Sequence, residues 1–388
     1  MASKKILIAA ANYWTSPYHV GSHHYAKIFA KNNWEVLFVS DPVSPFHFFT
    51  GNKGQVNERY KIYRGSVESG YKNINIYVPF SLFTPNEKFF FKTRFVANNW
   101  HKFTFPNIVS YAKKLGFGDI DILWFDSISQ FFWLDAIKHK KSIYRIADKM
   151  DSFRKISNNL KILEQSLKDK CDFIFYTAKT LESFIEPQYK EKSRYIPNGV
   201  DFEHFDLCDA NIPKEFEKIS KPIAIYVGAI EEWFGVDLLY EVAKKCSDVS
   251  FVIIGNPNIN ISRLENMKNM YFLGKKNYSD VPSYMKNSDV GIITFNIKHP
   301  VVRTVNPIKL YEYFACGLPV VATKWDELER LSTPAFLADN PDSFSNYIYE
   351  AIKEGKSKKY IDFARKNSWE ARFEEIIRIY NKNENNNL

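Results

Sequence analysis

Cysteine is scarce: Cys171, Cys208, Cys246 and Cys316 are the four in 388 residues, and no two share a metal-ligand spacing. This excludes a disulfide framework and points to reduced thiols in a cytosolic protein. No apolar run approaches the roughly 18 to 20 residues needed to cross a bilayer. The opening segment has two lysines and only the short run Ile6–Ala11, too little for a signal peptide. It reads as a first buried strand closed by Asn12. Short repeats and low-complexity linkers are also missing. The expected setting is the cytoplasm, with access to the inner face of a membrane as a peripheral protein.

Hydrophobic residues make up 45% of the chain, enough for folded cores, and 388 residues suit two domains. Charge is uneven. Residues 1–200 hold 29 Lys+Arg against 17 Asp+Glu, a net of +12, while the remainder is net −3. The first half therefore expects an anionic partner: nucleic acid, an anionic leaflet or a phosphorylated lipid.

The first half alternates apolar strands with helices. Strands are expected at Ile6–Ala11, Glu35–Ser40, Asn73–Pro79, Asp121–Phe125 and Ser142–Ile146. Helices are expected at His23–Lys31, Pro106–Leu115, Phe131–Lys138, Lys161–Asp169 and Leu181–Ile185. The turn-rich Pro197-Asn198-Gly199-Val200-Asp201 interrupts the rhythm, which restarts after Lys221-Pro222. Strands then follow at Ile223–Val227, Val249–Ile254, Met270–Leu273, Val290–Phe295 and Val320–Thr323. Their helices are Val236–Cys246, Val281–Asn287 and Ile308–Cys316. Such alternation predicts an α/β protein of two Rossmann-like, doubly wound parallel-sheet domains facing a central cleft. Ligands of such sheets bind at the carboxyl ends of the strands. A last helix, Trp369–Tyr380, carries Phe373, Ile376, Ile377 and Tyr380 at helical spacing, and Asn381–Leu388 reads as a frayed polar tail.

The second half resembles the glycosyltransferases of the GT-B fold, with a donor domain like that of family GT4. The resemblance runs in order through Ile196–Asp201, Tyr226-Val227-Gly228, Gly235–Leu239, Val252–Gly255, Phe272-Leu273-Gly274, Ser288–Ile292 and, most specifically, Asn306–Ala322. It implies an acceptor-binding domain over 1–197 and a nucleotide-sugar domain over 198–365. Residues 366–388 would supply a helix crossing back to the first domain, plus the tail. It implies no cofactor and no metal.

Proline at a helix start exposes free amides and a positive dipole end, suited to a diphosphate. Lys309 in that first turn normally opposes the dipole, so a bound anion accounts for it. Glu312, one turn on, offers two acceptors to a ribose. The alternative is an ordinary surface Lys–Glu pair. With Gly228, Phe295, Asn306 and Ile308, these make the candidate donor site; by the same resemblance Phe295 and Ile308 flank the base and ribose. Many retaining members carry Glu, Arg and Lys where this chain has Thr304, Ala229 and Phe234. The pattern is closer to the xanthan-type membrane-associated glucuronosyltransferases, an inverting branch.

That comparison makes Asp148, after strand Ser142–Ile146, the candidate general base, with Asp126 the next carboxylate and Asp151 nearby. The plain alternative for Asp148 is a helix N-cap. Arg145 is a candidate acceptor contact, with an ion-pair partner and a contact to an acidic donor sugar as the alternatives. His19, Gly21 and His23, in Tyr18–His23 after the first strand, are candidate acceptor contacts. A metal cluster of His19, His23 and His24 is not expected. Asp119-Ile120-Asp121 mimics a metal motif but enters a strand at the end opposite the ligands.

The expected reaction moves a sugar from a nucleotide diphosphate, a UDP-sugar with UDP-glucuronate as one form, onto a lipid-linked saccharide in cell-surface polysaccharide synthesis. A retaining hexosyltransferase, a nucleotide-sugar epimerase of the same fold and a binding protein with a decayed site are the alternatives. Between Tyr77 and Pro106 lie ten aromatics, among them Phe89, Phe90, Phe91, Phe95, Trp100 and Phe105, interleaved with Lys88, Lys92, Arg94 and Lys102. They suit either a buried helix pair or a surface meeting anionic lipid. A nucleic-acid platform would share these ingredients, but the donor domain argues against it.

Overall fold

The computed structural model describes residues 3–16, 19–50, 52–85, 93–148, 158–208 and 211–385. The chain divides into two compact units. Met1–Thr177, Leu181–Ile196 and Phe373–Leu388 form the first; Ala178–Thr180 and Pro197–Arg372 form the second.

In the first unit the strands are β1 (Lys5–Ala10), β2 (Glu35–Ser40), β3 (Ile74–Tyr77), β4 (Asp119–Phe125), β5 (Lys138–Ile146), β6 (Phe173–Tyr176) and β7 (Ser193–Tyr195). Among the described residues they pair in the order β3-β2-β1-β4-β5-β6-β7, all parallel. Ile6 through Ala10 are fully buried, as a strand covered on both faces requires. The chain runs outward from β1 to β3, then returns to β4 and runs the other way. The switch point, where such sheets hold ligands, thus lies at the carboxyl ends of β1 and β4.

Strand β5 begins at Lys138, inside the segment expected to be helical. Lys138 and Lys140 project to one side of β5 and pair with Asp119 (3.1 Å) and Asp121 (2.8 Å) of β4. This alternating charge is a cross-strand register device that, read alone, mimics a basic helix end. Helix there is confined to Trp133–Ala136. The Asp119-Ile120-Asp121 segment is accordingly occupied at the amino end of the sheet, where Asp121 also accepts the Lys5 backbone N–H at 2.7 Å.

Strands β6 and β7 and the helix Lys53–Tyr63 were not expected. The helix buries only Val56 and Ile62, too thin a stripe to register as a period. Leu181–Ile185, expected as helix, lies largely in a 3₁₀ turn over Lys179–Phe184. The last helix continues past Tyr380 to Asn385, into the segment expected as tail. Its part in the first unit sets Phe373 edge-on to Phe29 (5.0 Å) and Tyr380 edge-on to Trp34 (6.1 Å). The Tyr380 hydroxyl donates to Asp121 at 3.4 Å.

In the second unit β8 (Ile223–Val227), β9 (Ser250–Ile254), β10 (Met270–Phe272), β11 (Val290–Ile293), β12 (Val320–Thr323) and β13 (Phe336–Ala338) form a parallel sheet in the order β10-β9-β8-β11-β12-β13. Helices Val236–Lys245, Ile308–Ala315 and Pro341–Glu354 pack against a core of Ile225, Phe251, Ile253, Ile292, Phe314, Val321 and Ile348, all almost wholly excluded from water. The switch point lies between β8 and β11. These parallel sheets in two α/β units bear out the expected fold class.

Candidate active site

In the second unit the chain leaves β8 at Gly228 and β11 at Thr294-Phe295, beside the switch point. A side chain at Gly228 would put its Cβ 2.1 Å from Lys309 Cε and 2.9 Å from Nζ. The glycine is therefore what lets the Lys309 side chain lie across this turn. Tyr313, on the same helix (Ile308–Ala315), accepts the Val227 N–H through its hydroxyl at 2.9 Å and so sets the helix against the end of β8.

Burial lowers the pKa of Lys309 and raises that of Glu312, and each charge partly offsets the shift of the other. Glu312 is almost wholly buried and also feels His204 and Asp201. Among the described residues Lys309 makes no ion pair. It is a desolvated cation at the start of a helix, an arrangement that favours an anion. Phe295 is buried, with its ring 5.7 Å from that of Trp325, and Ile308 is half-buried. Asn306 is turned inward. Its amide donates to Glu327 at 3.1 Å and accepts from the Tyr311 hydroxyl at 3.0 Å, while its carbonyl accepts from Asn198 at 2.8 Å.

In the first unit, Asp126 at the end of β4 and Asp148 beyond the end of β5 both come under the influence of one guanidinium. Arg145 lies 3.5 Å from Asp126 Oδ1 and acts on Asp148 through its charge. Its guanidinium fills the space a side chain at Gly21 would need, 2.4 Å from the would-be Cβ. It also sits 5.6 Å from the Tyr25 ring centroid. Gly21 thus admits Arg145 close to the start of helix Gly21–Lys31. The ion-pair reading of Arg145 is the one this geometry supplies.

The two carboxylates differ. Asp126 is engaged: Trp124 Nε1 donates to it at 3.1 Å and Ser22 bonds it as well. Burial raises its pKa, against the pull of Arg145. Burial also raises the pKa of Asp148, to about 7, with Arg145 as the opposing influence. Among the described residues Asp148 is the less encumbered, and a carboxyl near neutrality suits proton abstraction. The next described helix begins at Asn158; Asp151 and the segment that would test the capping alternative lie outside the described residues.

His23 is fully buried. Its Nε2 faces the Tyr13 carbonyl at 3.0 Å and its Nδ1 accepts the Val20 N–H at 3.3 Å. Burial pushes its pKa down to about 4, so it stays neutral and fastens its own loop. His19, half-exposed, stacks on it at 5.1 Å. Of this pair, His19 is the one a ligand can reach; Tyr18 lies outside the described residues.

Sequence reasoning missed Trp325, Glu327 and Tyr313. A tryptophan just past the end of β12 was the available signal for the first. A glutamate buried by its surroundings leaves no such mark.

The comparisons divide the chain in the same way. The model described as the N-terminal domain of the glucuronosyltransferase GumK matches residues 8–176, and that of glycosyl transferases group 1 matches residues 209–367. A Bacillus subtilis glycosyltransferase named for teichuronic acid biosynthesis, TuaH, is 23% identical over 235 residues. That alignment takes in 56% of this chain and 59% of the relative. Among solved structures, sucrose-phosphate synthase of Thermosynechococcus elongatus superposes with a TM-score of 0.70 at 14% identity, covering 98% of each chain. Anabaena HepE in complex with UDP-glucose superposes at 0.64 and 15% identity, covering 97% of this chain and 99% of the other. These likenesses establish the GT-B fold.

Proposed function

We propose that this chain, a glycosyltransferase of the GT-B fold joining a GumK-type first domain to a group 1 second domain, transfers a hexose from a uridine diphosphate sugar to a lipid-linked saccharide. The product would belong to a cell-surface polysaccharide. The observation that carries the donor half is Lys309 lying across the Gly228 turn at the start of helix Ile308–Ala315. UDP and UDP-glucose in the HepE structures support uridine as the base, and the name of TuaH supports a polysaccharide product. The GumK match supports trying UDP-glucuronate first among the donors.

In this reading Asp148 takes the proton of the acceptor hydroxyl as its oxygen bonds to the anomeric carbon. The bond from that carbon to the diphosphate breaks, and one displacement inverts the configuration. Negative charge grows on the leaving diphosphate, where Lys309 and the free amides of the helix start stabilise it. Asp126 holds Arg145 beside Asp148. Arg145 keeps the pKa of Asp148 from rising further, so that the carboxylate form is populated at neutral pH. Glu312 and Phe295 would hold the ribose and base.

Calorimetry with UDP, ADP, CDP and GDP tests the donor site. Saturable binding that favours UDP is expected, followed by UDP release from a UDP-sugar once a lipid-linked acceptor is present. A chain that binds none of the four lacks this donor site.

The acceptor's lipid motivates a membrane contact of the first unit. Tyr77 and Trp100 are buried, as the helix-pair alternative requires, but Phe49 is 87% exposed, Phe95 55% and Phe105 54%. Backbone pairing joins Phe80 to Phe105 and Leu82 to Phe103, whose ring lies 6.2 Å from Phe95. Phe48 and Tyr60 extend the aromatic chain to Phe80. Lys88, Phe89, Phe90, Phe91 and Lys92 lie outside the described residues. Among the described residues no helix is long and apolar enough to cross a membrane. Flotation with anionic vesicles should recover the chain at low salt and lose it progressively as salt rises, since the attraction fades over a Debye length. Phe49→Ser/Phe95→Ser/Phe105→Ser should abolish flotation and leave UDP binding intact. If the triple variant floats like the parent, these aromatics are not the contact.

A further inference from the structure

Glu327 is a carboxylate with no exposed surface, in a short helix (Asp326–Arg330) beyond β12. Burying a carboxylate is costly unless hydrogen bonds compensate, and here donors from Asn306, Thr180 and the Lys179 backbone converge on it. Asn306 Nδ2 reaches Oε1 at 3.1 Å. The backbone N–H and Oγ1 of Thr180 reach Oε2 at 3.1 and 3.3 Å.

Asn306 is the hub of this arrangement. It stands two residues before helix Ile308–Ala315, and each of its polar atoms named above has a partner. One neighbour, Val305, is held through its carbonyl by Trp325 Nε1 at 3.2 Å. Asn198 and Tyr311 complete the surroundings, and Arg372 Nε donates to the carbonyls of Pro197 and Asn198 at 3.1 and 3.3 Å. The network thus reaches three stretches where the chain changes unit: 178–180, 197–198 and 372. All its members belong to the second unit. A core needing only stability at this place would be served by apolar side chains of similar volume. A carboxylate that orients an amide adds direction: the Asn306 side-chain amide can donate to Glu327 and accept from Tyr311 together in one orientation only.

We infer that Glu327 is a positioning residue for the donor site: by holding Asn306 it fixes the approach to helix Ile308–Ala315, and with it Lys309 and the free amides that receive the diphosphate. The inference rests on the donor-site reading above. In Glu327→Gln the amide can accept from Asn306 only by turning its NH₂ toward the Thr180 N–H, or the reverse, so one donor is always opposed.

The test measures UDP affinity by calorimetry in Glu327→Gln, Asn306→Ala and the double variant, with Tm recorded for each. Ile348→Val, in the helix Pro341–Glu354 of the same unit, serves as a destabilised control. Each single variant should weaken UDP binding about tenfold, the scale of one hydrogen bond to a charged group. The double variant should be no weaker than either single one, because both remove the same link. In turnover assays the donor KM should rise and the acceptor KM stay put, a split that general loosening would not give. The control should lower Tm and leave UDP affinity alone. If Glu327→Gln does not fold, Asn306→Ala alone decides, by the same affinity and KM readouts. Unchanged UDP affinity in the folded variants overturns the inference while the donor site stands. Additive losses in the double variant also overturn it, since Asn306 would then act on the nucleotide independently. A parent chain that does not bind UDP overturns the donor-site reading and this inference together.

Discussion

Asp148→Asn is expected to cut kcat by about 10² to 10⁴, the range for loss of a general base, while UDP affinity stays near that of the parent. Asp148 and Asp126 both feel the same guanidinium, but Asp126 is engaged by Trp124, Ser22 and Arg145, whereas among the described residues Arg145 is the charge that acts on Asp148. Asp126→Asn should therefore cost less, and it should act by loosening Arg145.

The pH profile gives the sign. The carboxylate is the active form and its pKa is raised to about 7, so kcat/KM should climb through neutrality and flatten above it. Loss of Arg145 should move that limb to higher pH, because the cation is what opposes the rise. Stability follows the opposite course: a raised pKa favours the folded state at low pH, and that advantage is lost as pH passes about 7. Asp148→Asn should then leave Tm at pH 8 unchanged or higher. An active Asp148→Asn enzyme alongside an inactive Asp126→Asn one would transfer the role to Asp126.

Lys309→Ala should weaken UDP binding by about 1.5–3 kcal/mol, roughly 10- to 150-fold, as befits a charge-assisted contact in a desolvated setting. The effect is large because burial already lowers the pKa of this lysine, and a bound diphosphate removes that penalty. Gly228→Ala provides a version that keeps the charge. Its Cβ would meet Lys309 at 2.1 Å, and the flexible end of that side chain would have to move. Donor affinity should fall while Tm changes little. Calorimetry on both variants decides: equal affinity in parent and Lys309→Ala would place the diphosphate elsewhere.

Much of the fold was legible in the sequence because its cues are local. The strand bounds Glu35–Ser40, Ile223–Val227 and Val320–Thr323 agree with expectation, each being a compact apolar run closed by turn residues. Helix Ile308–Ala315 was equally readable, with proline at its start and Gly317 past its end. Elements without such marks escaped. Helix Lys53–Tyr63 has almost no apolar stripe, and the first residues of β5 are polar because ion pairs to β4 set their register.

What the sequence by itself determined is the repeated strand-helix pattern, the two units it builds and the residues delivered to the strand ends, Asp126, Asp148, Gly228 and Phe295, and to a helix start, Lys309. These follow from hydrophobic period and turn chemistry, which act over a few residues. Tertiary structure alone decided what those residues are to one another. Arg145 fits against Gly21, 124 positions away, and reaches Asp126; Lys309 crosses Gly228; Asn306 is bound to Glu327 and, through it, to Thr180. Burial then sets the pKa of Asp148. Desolvation and hydrogen-bond geometry depend on which distant segments pack around a group, and that is a property of the folded chain rather than of any local stretch of it.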